Sequence, residues 1–546
     1  MTERVKDKEA SIVRRYIEAV RQFAELALDK ARDRYGKEAT PLFADGIHSR
    51  TYEPVRWLSQ GQSWTLSNLA NQQNWLRTLD GLSELTGEAR YREAAEAAVR
   101  YALDELRYGK LLYWGGHMAF DLESKQPVHA ADKGPQHELK CHYPYYELMN
   151  RVNPEETARY IEALWAGHIT DWSNLEFSRH GQPVRDLREQ DVWEQDYAED
   201  SPVFFTGRGL TFINAGSDLF YAAAMYHRFF GEEKPLQWAK RLAHRYVETR
   251  NPETGLGGYQ FSISVLPGQR GDRAVDQFGE QLKEHAPIEA TLTTARQAHT
   301  IIGEAALCRM SLAETLGTSG REFLDWAVED LLAYGEYAYD PFDHSFHPML
   351  TNGTRLTGLV MEKSGYYGRA GEQLKAAQAD VLLLWSYVKA YRLSGNAKLW
   401  TLARSIGGGL GFGDIGTPEG GATDLPSELQ TADPVAIFAL LELFETTGQR
   451  KFLQLAQRVG DRIVLYRFHR GLFMPSPDHE YAKLDALEPL ALLHLAAAML
   501  GVRGRMPAYC GGRPFFAAAY DGLGHQTDNI LLYQKNLPSS PLAESL

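Results

Sequence analysis

Imidazoles and carboxylates concentrate between residues 108 and 181. His117 sits in Trp114-Gly115-Gly116-His117-Met118, and His129, His137, Glu138, His142 and His180 follow it. Two neutral imidazoles and one carboxylate can hold a divalent transition metal while leaving coordination positions open to a substrate. His117, Glu138 and His180 form the set we favour. Their spacing is wide, and among 17 histidines most serve surfaces or cores, so a packing role stands beside the metal reading.

Helices must position these side chains. Apolar residues recur at helical spacing through most of the chain, in a repeated context. A long apolar helix ends near a Gly, an apolar residue follows four positions later, and an Ala four beyond that. The copies are Gly87/Tyr91/Ala95, Gly231/Pro235/Ala239, Gly395/Leu399/Ala403 and Gly448/Phe452/Ala456, with a blurred one from Gly317 to Ala327. The Gly accepts the left-handed backbone that ends a helix, and the small Ala lets the returning helix pack closely. A shared period of roughly 50 residues signals an array of helical hairpins.

The pattern predicts hairpins over 62–107, 140–168, 213–250, 293–336, 374–409 and 432–464. In each, the first helix is the more apolar. The run after Asp433-Pro434 (Val435, Ile437, Phe438, Leu440, Leu441, Leu443, Phe444) is apolar nearly all round, as a buried helix is. The helix of 486–500 lacks an outer partner, which the amphipathic helix of 10–36 can supply. The expected architecture is an all-α (α/α)7 toroid, one domain over 1–546, closed by its N-terminal helix, with small β inserts lining a cleft. Inserts at 108–139, 169–212, 251–292, 338–373 and 410–430 exceed about 15 residues, the length beyond which a loop is functional or disordered. Their Gly, aromatic and Arg content favours ordered cleft walls, and 258–265 alternates like a strand.

Composition narrows the function. Hydrophobic residues make up 44% and charged residues 24%, as in a folded globular chain. Lys and Arg number 58 against 71 Asp and Glu, a net charge of −13, which argues against nucleic acid but permits an anionic sugar in a locally basic cleft. Three cysteines, Cys141, Cys308 and Cys510, make no disulfide framework and fit a reducing compartment. No stretch reads as a signal peptide or membrane span, so a cytoplasmic location is expected.

The segment His117…Glu138…Arg179-His180, with Leu139-Lys140-Cys141-His142-Tyr143-Pro144-Tyr145-Tyr146 beside it, resembles the family-two pectate lyases over residues 108–181. The resemblance implies a metal-assisted lyase acting on polygalacturonate or oligogalacturonides. It implies that His117, Glu138 and His180 hold the metal, manganese first, with cobalt, nickel or zinc as alternatives. It also implies that Arg179 is the catalytic base. Such an enzyme removes the C5 proton of a uronate and expels the C4 glycosidic oxygen, leaving a 4,5-unsaturated sugar. A dication on the carboxylate would stabilise the developing charge. Arginine is a costly base, about 7 kcal/mol from deprotonation at neutral pH, so a nearby dication and an alkaline optimum are expected. The competing role for Arg179 is a carboxylate clamp that keeps its proton.

Substrate contacts are expected from loops preceding the inner helices. Arg208, Arg296 and Arg369 would pair uronate carboxylates, or else cap helices and join surface ion pairs. Trp114, Tyr143 and Trp64 would stack on sugar faces, or else pack in the core. Gly411-Phe412-Gly413-Asp414-Ile415-Gly416 matches a dinucleotide fingerprint but follows a helix, so it reads as a tight-turn loop. His344-Ser345-Phe346-His347 lies between Pro341 and Pro348 and reads as loop. Two rivals remain. A metal-free glycoside hydrolase would draw two carboxylates from Asp196, Asp200, Asp218 and Glu289. A non-catalytic toroid would only bind uronates.

Overall fold

The computed structural model describes residues 3–59, 62–115, 118–129, 135–139, 141–183, 192–201, 211–257, 260–261, 298–362, 369–421, 424–427, 429–512, 517–518 and 526–527. Among them are fourteen α-helices. They are α1 (Glu3–Lys30), α2 (Gln73–Thr86), α3 (Ala89–Glu105), α4 (Tyr146–Val152), α5 (Pro154–His168), α6 (Ile213–Phe230) and α7 (Glu233–Glu248). Then follow α8 (Ala298–Leu316), α9 (Arg321–Tyr337), α10 (Val381–Ser394), α11 (Ala397–Gly409), α12 (Pro434–Thr447), α13 (Arg450–Tyr466) and α14 (Leu487–Met499).

The even-numbered helices form an inner ring. Contacts run from α2 to α14, α12, α10, α8, α6 and α4 in turn. Side chains close the last gap: Gln73 accepts from the Tyr145 amide (2.6 Å), and Asp80 accepts from the Tyr145 hydroxyl (2.6 Å). Each inner helix packs against the odd-numbered helix after it, and α14 takes α1 as its partner. Tyr16 of α1 donates to Asp461 (2.6 Å) on α13, so the N-terminal helix does close the outer ring. Seven hairpins result, as the sequence pattern requires.

Sequence character explains the layering. Residues 381–390 of α10, 436–443 of α12 and 489–497 of α14 are buried without a break, as inner helices must be. In α13 only one face is buried, through Phe452, Leu455, Ala456, Val459 and Ile463. Gly87, Gly395 and Gly448 end their inner helices at φ of +76°, +70° and +67°, where a side chain would be strained. Short turns join each inner helix to its outer partner, and the longer segments join each outer helix to the next inner one.

Two boundaries differ from expectation. The N-terminal helix runs over 3–30 rather than 10–36. Residues 62–72 are not an α-helix: Gln62–Ser67 joins a four-stranded sheet with Arg56–Ser59, Met118–Asp121 and Gln126–His129, and Leu69–Asn71 forms a single 3-10 turn. The strand-like 258–265 shows Gln260–Phe261 paired with Thr211–Phe212, and the rest of it falls outside the described residues. Residues 411–416 are a turn with three positive-φ glycines, as read; 344–347, read as loop, instead carries the strand Ser345–Phe346, paired on both sides with Tyr339–Asp340 and Ala377–Gln378.

Candidate active site

Three chain segments meet beside α5. His137–Glu138 pairs antiparallel with His180–Gly181, placing His180 opposite Glu138. Glu138 N–H donates to Trp114 O (3.3 Å), and Leu139 N–H donates to Arg179 O (3.1 Å). Gly115 has φ +105°, and a Cβ there would fall 2.8 Å from Glu138 Cβ, so only glycine lets these two backbones touch. Asn68, buried, donates its side-chain amide to both Gly115 O (2.7 Å) and Met118 O (3.0 Å). That one amide holds the described residues on either side of positions 116 and 117; His117 lies outside the described residues.

Glu138 is fully buried, and its Oε1 stands 3.2 Å from His180 Nε2 and 3.4 Å from Arg179 Nε. Three of the four residues expected to do chemistry therefore share one point. Two ligands about 2.1 Å from one ion at tetrahedral or octahedral angles are about 3.0–3.4 Å apart, so the Glu138–His180 spacing fits a shared divalent metal. Among the described residues no group of three or more His, Cys, Asp or Glu side chains is arranged to hold one.

Behind this pair lies a chain of buried aromatic polar groups that the sequence reading did not assign. His168 Nδ1 is 2.7 Å from Ser178 O, its Nε2 is 2.8 Å from His137 Nδ1, and His137 Nε2 is 3.3 Å from Tyr160 Oη. Burial pushes the His168 pKa down to about 3 and that of His137 well below its ordinary value, so both rings are neutral. The only sequence signal was Gly181 beside His180. A Cβ there would fall 2.4 Å from His168 Nε2.

The expected sugar contacts fare differently. Trp114 and Tyr143 are buried, packed against His142 and Tyr221 respectively, so neither ring offers a face to a sugar. This corrects the stacking expectation: the chain folds over both rings. Trp64 is half-buried in the four-stranded sheet. Arg369 is exposed in the loop before α10, where its backbone N–H donates to Glu372 (2.8 Å). Arg208 and Arg296 lie outside the described residues. Of the carboxylates a hydrolase would need, Asp218 is buried and accepts from the amides of His142 (2.9 Å) and Tyr143 (3.2 Å). It steadies a backbone in which Cys141 and Tyr143 have positive φ. Asp196 and Asp200 are exposed, and Glu289 lies outside the described residues.

The profile of a family described as periplasmic pectate lyase matches residues 40–519. The chain belongs to that pectate lyase family. It is also 33% identical over 521 residues to a pectate disaccharide-lyase of Dickeya dadantii (strain 3937), spanning 92% of this chain and 91% of the relative. Among solved structures, a cellobiose 2-epimerase from Bacillus thermoamylovorans B4167 superposes with a TM-score of 0.42 at 12% identity, over 88% of this chain and 99% of its own. A sugar epimerase from a ruminal bacterium gives 0.45 at 12% identity, over 88% and 98%. Both superpositions are loose.

The polysaccharide lyase assignment overturns the cytoplasmic expectation, because the family is described as periplasmic. Cysteine scarcity was a poor guide to compartment. All three cysteines are buried and outside any disulfide, and burial pushes the Cys308 and Cys510 thiols up, the latter to about 12, so those two stay protonated and unreactive. No helix among the described residues is long and apolar enough to cross a membrane.

Proposed function

We propose that this lyase cleaves polygalacturonate or oligogalacturonides by metal-assisted β-elimination, yielding 4,5-unsaturated galacturonides. The observation that carries the reading is the convergence of His180 and Arg179 on the buried Glu138 carboxylate, 3.2 and 3.4 Å away. Glu138, His180 and His117 would hold a divalent transition metal, manganese first. When bound, that ion supplies Lewis-acid stabilisation to a uronate carboxylate.

The chain's own groups perform the rest. Arg179, oriented at Nε by Glu138 and acting as the neutral guanidine, takes the proton from C5 and becomes the guanidinium. The C5–H electron pair forms the C4=C5 double bond, the C4–O bond breaks, and the departing oxygen takes a proton from solvent. Burial of Glu138 keeps water from competing for its oxygens. Arg208, Arg296 and Arg369 remain the proposed partners of neighbouring uronates. By likeness to the relative from Dickeya dadantii, the released unit is a disaccharide.

The test is ultraviolet absorbance of the unsaturated product when purified protein meets polygalacturonate, with and without chelator. A rise that chelator abolishes and manganese restores is expected. A rise that persists unchanged in chelator sinks the metal-assisted reading.

A further inference from the structure

The ladder that brings Glu138 to His180 is two residues long on each strand. Pairs this short are marginal alone and need an outside support. His168, the last residue of α5, supplies it on both sides. Its backbone O accepts from Ser178 N (2.9 Å) while its ring Nδ1 faces Ser178 O (2.7 Å), so the strand leading to His180 is held twice. Gly167 O adds a bond from Gln182 N (3.0 Å) just past that strand. The other strand is held by the His137 ring, 2.8 Å from His168 Nε2.

Hydrogen-bond direction follows from chemistry. A carbonyl oxygen only accepts, so His168 Nδ1 carries the proton and donates to Ser178. In the neutral ring Nε2 must then accept, and His137 Nδ1 donates to it. His137 Nε2 is left to accept from the Tyr160 hydroxyl. Every group in the chain Tyr160–His137–His168–Ser178 has one role, and no arrangement with a tautomer reversed satisfies them all. Gly181 completes the fit, because any side chain there would strike the His168 ring.

We propose that His168 is a positioning residue of the lyase, clamping both strands of the Glu138–His180 pair to the end of α5. This rests on the proposed use of Glu138 and His180. Removing the ring should loosen the pair, lowering metal affinity and kcat while leaving substrate binding at the mouth largely intact.

Four proteins test it: the full chain, His168→Leu, His168→Gln and Glu138→Gln, each first checked by circular dichroism for a native spectrum. Mn²⁺ affinity of the metal-free protein is measured by electron paramagnetic resonance, and kcat and KM with polygalacturonate. His168→Leu should weaken Mn²⁺ binding by about 10–100-fold and lower kcat by a similar factor, with KM changed less than about threefold. His168→Gln, which keeps a donor and an acceptor, should recover part of both losses. Wild-type affinity and kcat in His168→Leu overturn the positioning role, provided Glu138→Gln is impaired. If Glu138→Gln is itself unimpaired, the reading of the site fails and the clamp falls with it. Should His168→Leu not fold, ¹⁵N-histidine spectra of the unaltered protein decide, since an Nε2–H tautomer at His168 overturns the clamp.

Discussion

His180 Nε2 stands 3.2 Å from Glu138 Oε1, although the two residues are 42 positions apart in the chain. Their pairing is in register, and Arg179, the neighbour of His180, approaches the same oxygen. One buried carboxylate oxygen thus links an imidazole to a guanidinium. Four outcomes follow from that arrangement and from the ring that holds it.

Arg179→Lys should lower kcat by about 10²–10⁴-fold with a smaller change in KM. Lysine keeps the charge but loses the planar fork that Glu138 orients, and the loss matches removal of a general base. Steady-state kinetics on polygalacturonate provide the check, and a kcat within a few-fold of the parent would remove Arg179 from proton transfer.

Asn68→Ala should lower activity about 100-fold while the protein remains folded. It removes two bonds that hold Gly115 and Met118 on either side of His117. Two buried carbonyls then lose their donor, costing about 1–3 kcal/mol each in stability. Kinetics alongside thermal melting separate the two effects; a variant that is destabilised yet fully active would show that the Asn68 bonds have no part in catalysis.

Gly448→Ala serves as the remote contrast. No atom lies within 4 Å of the added Cβ, but φ is +67°, so the cost is backbone strain of about 1–2 kcal/mol. Stability should fall by that amount in urea titration with kcat unchanged. A neutral substitution would mean that the helix end relaxes out of the left-handed conformation.

Acid should destabilise the ring through His494. Burial within the ring pushes its pKa down from 6.5 to about 3, and its Nε2–H donates to Pro507 O at 3.1 Å. Between those values the unfolded chain binds one proton more than the folded one. The stability is therefore complete above about pH 6.5 and is lost as pH falls, by about 1.4 kcal/mol per unit. His494→Gln keeps a donor for Pro507 and does not titrate, so its urea midpoint should fall less than the parent's between pH 6.5 and 4.5. Parallel midpoints in the two proteins would exclude His494 as the source.

The seven hairpins were legible before any coordinates. Gly87, Gly395 and Gly448 announce helix ends through their own backbone freedom, and the unbroken apolar run of α12 announces an inner helix. Those signals are local, carried by residues a few positions apart. The 62–72 stretch misled because its first half, Gln62–Ser67, finds a sheet partner at 118–121, a pairing no local pattern announces.

The site divides along the same line. Residue types and order in His117…Glu138…Arg179-His180 marked candidate residues through resemblance, but not through any distance. Tertiary structure alone brought Glu138 against His180, called in Asn68 from before α2 and His168 from the end of α5, and closed the chain over Trp114 and Tyr143. A sequence encodes turn preference and amphipathic period within a window of a few residues. Which side chains converge, and which rings are covered, depends on packing between segments many tens of residues apart, and that is settled only when the ring closes.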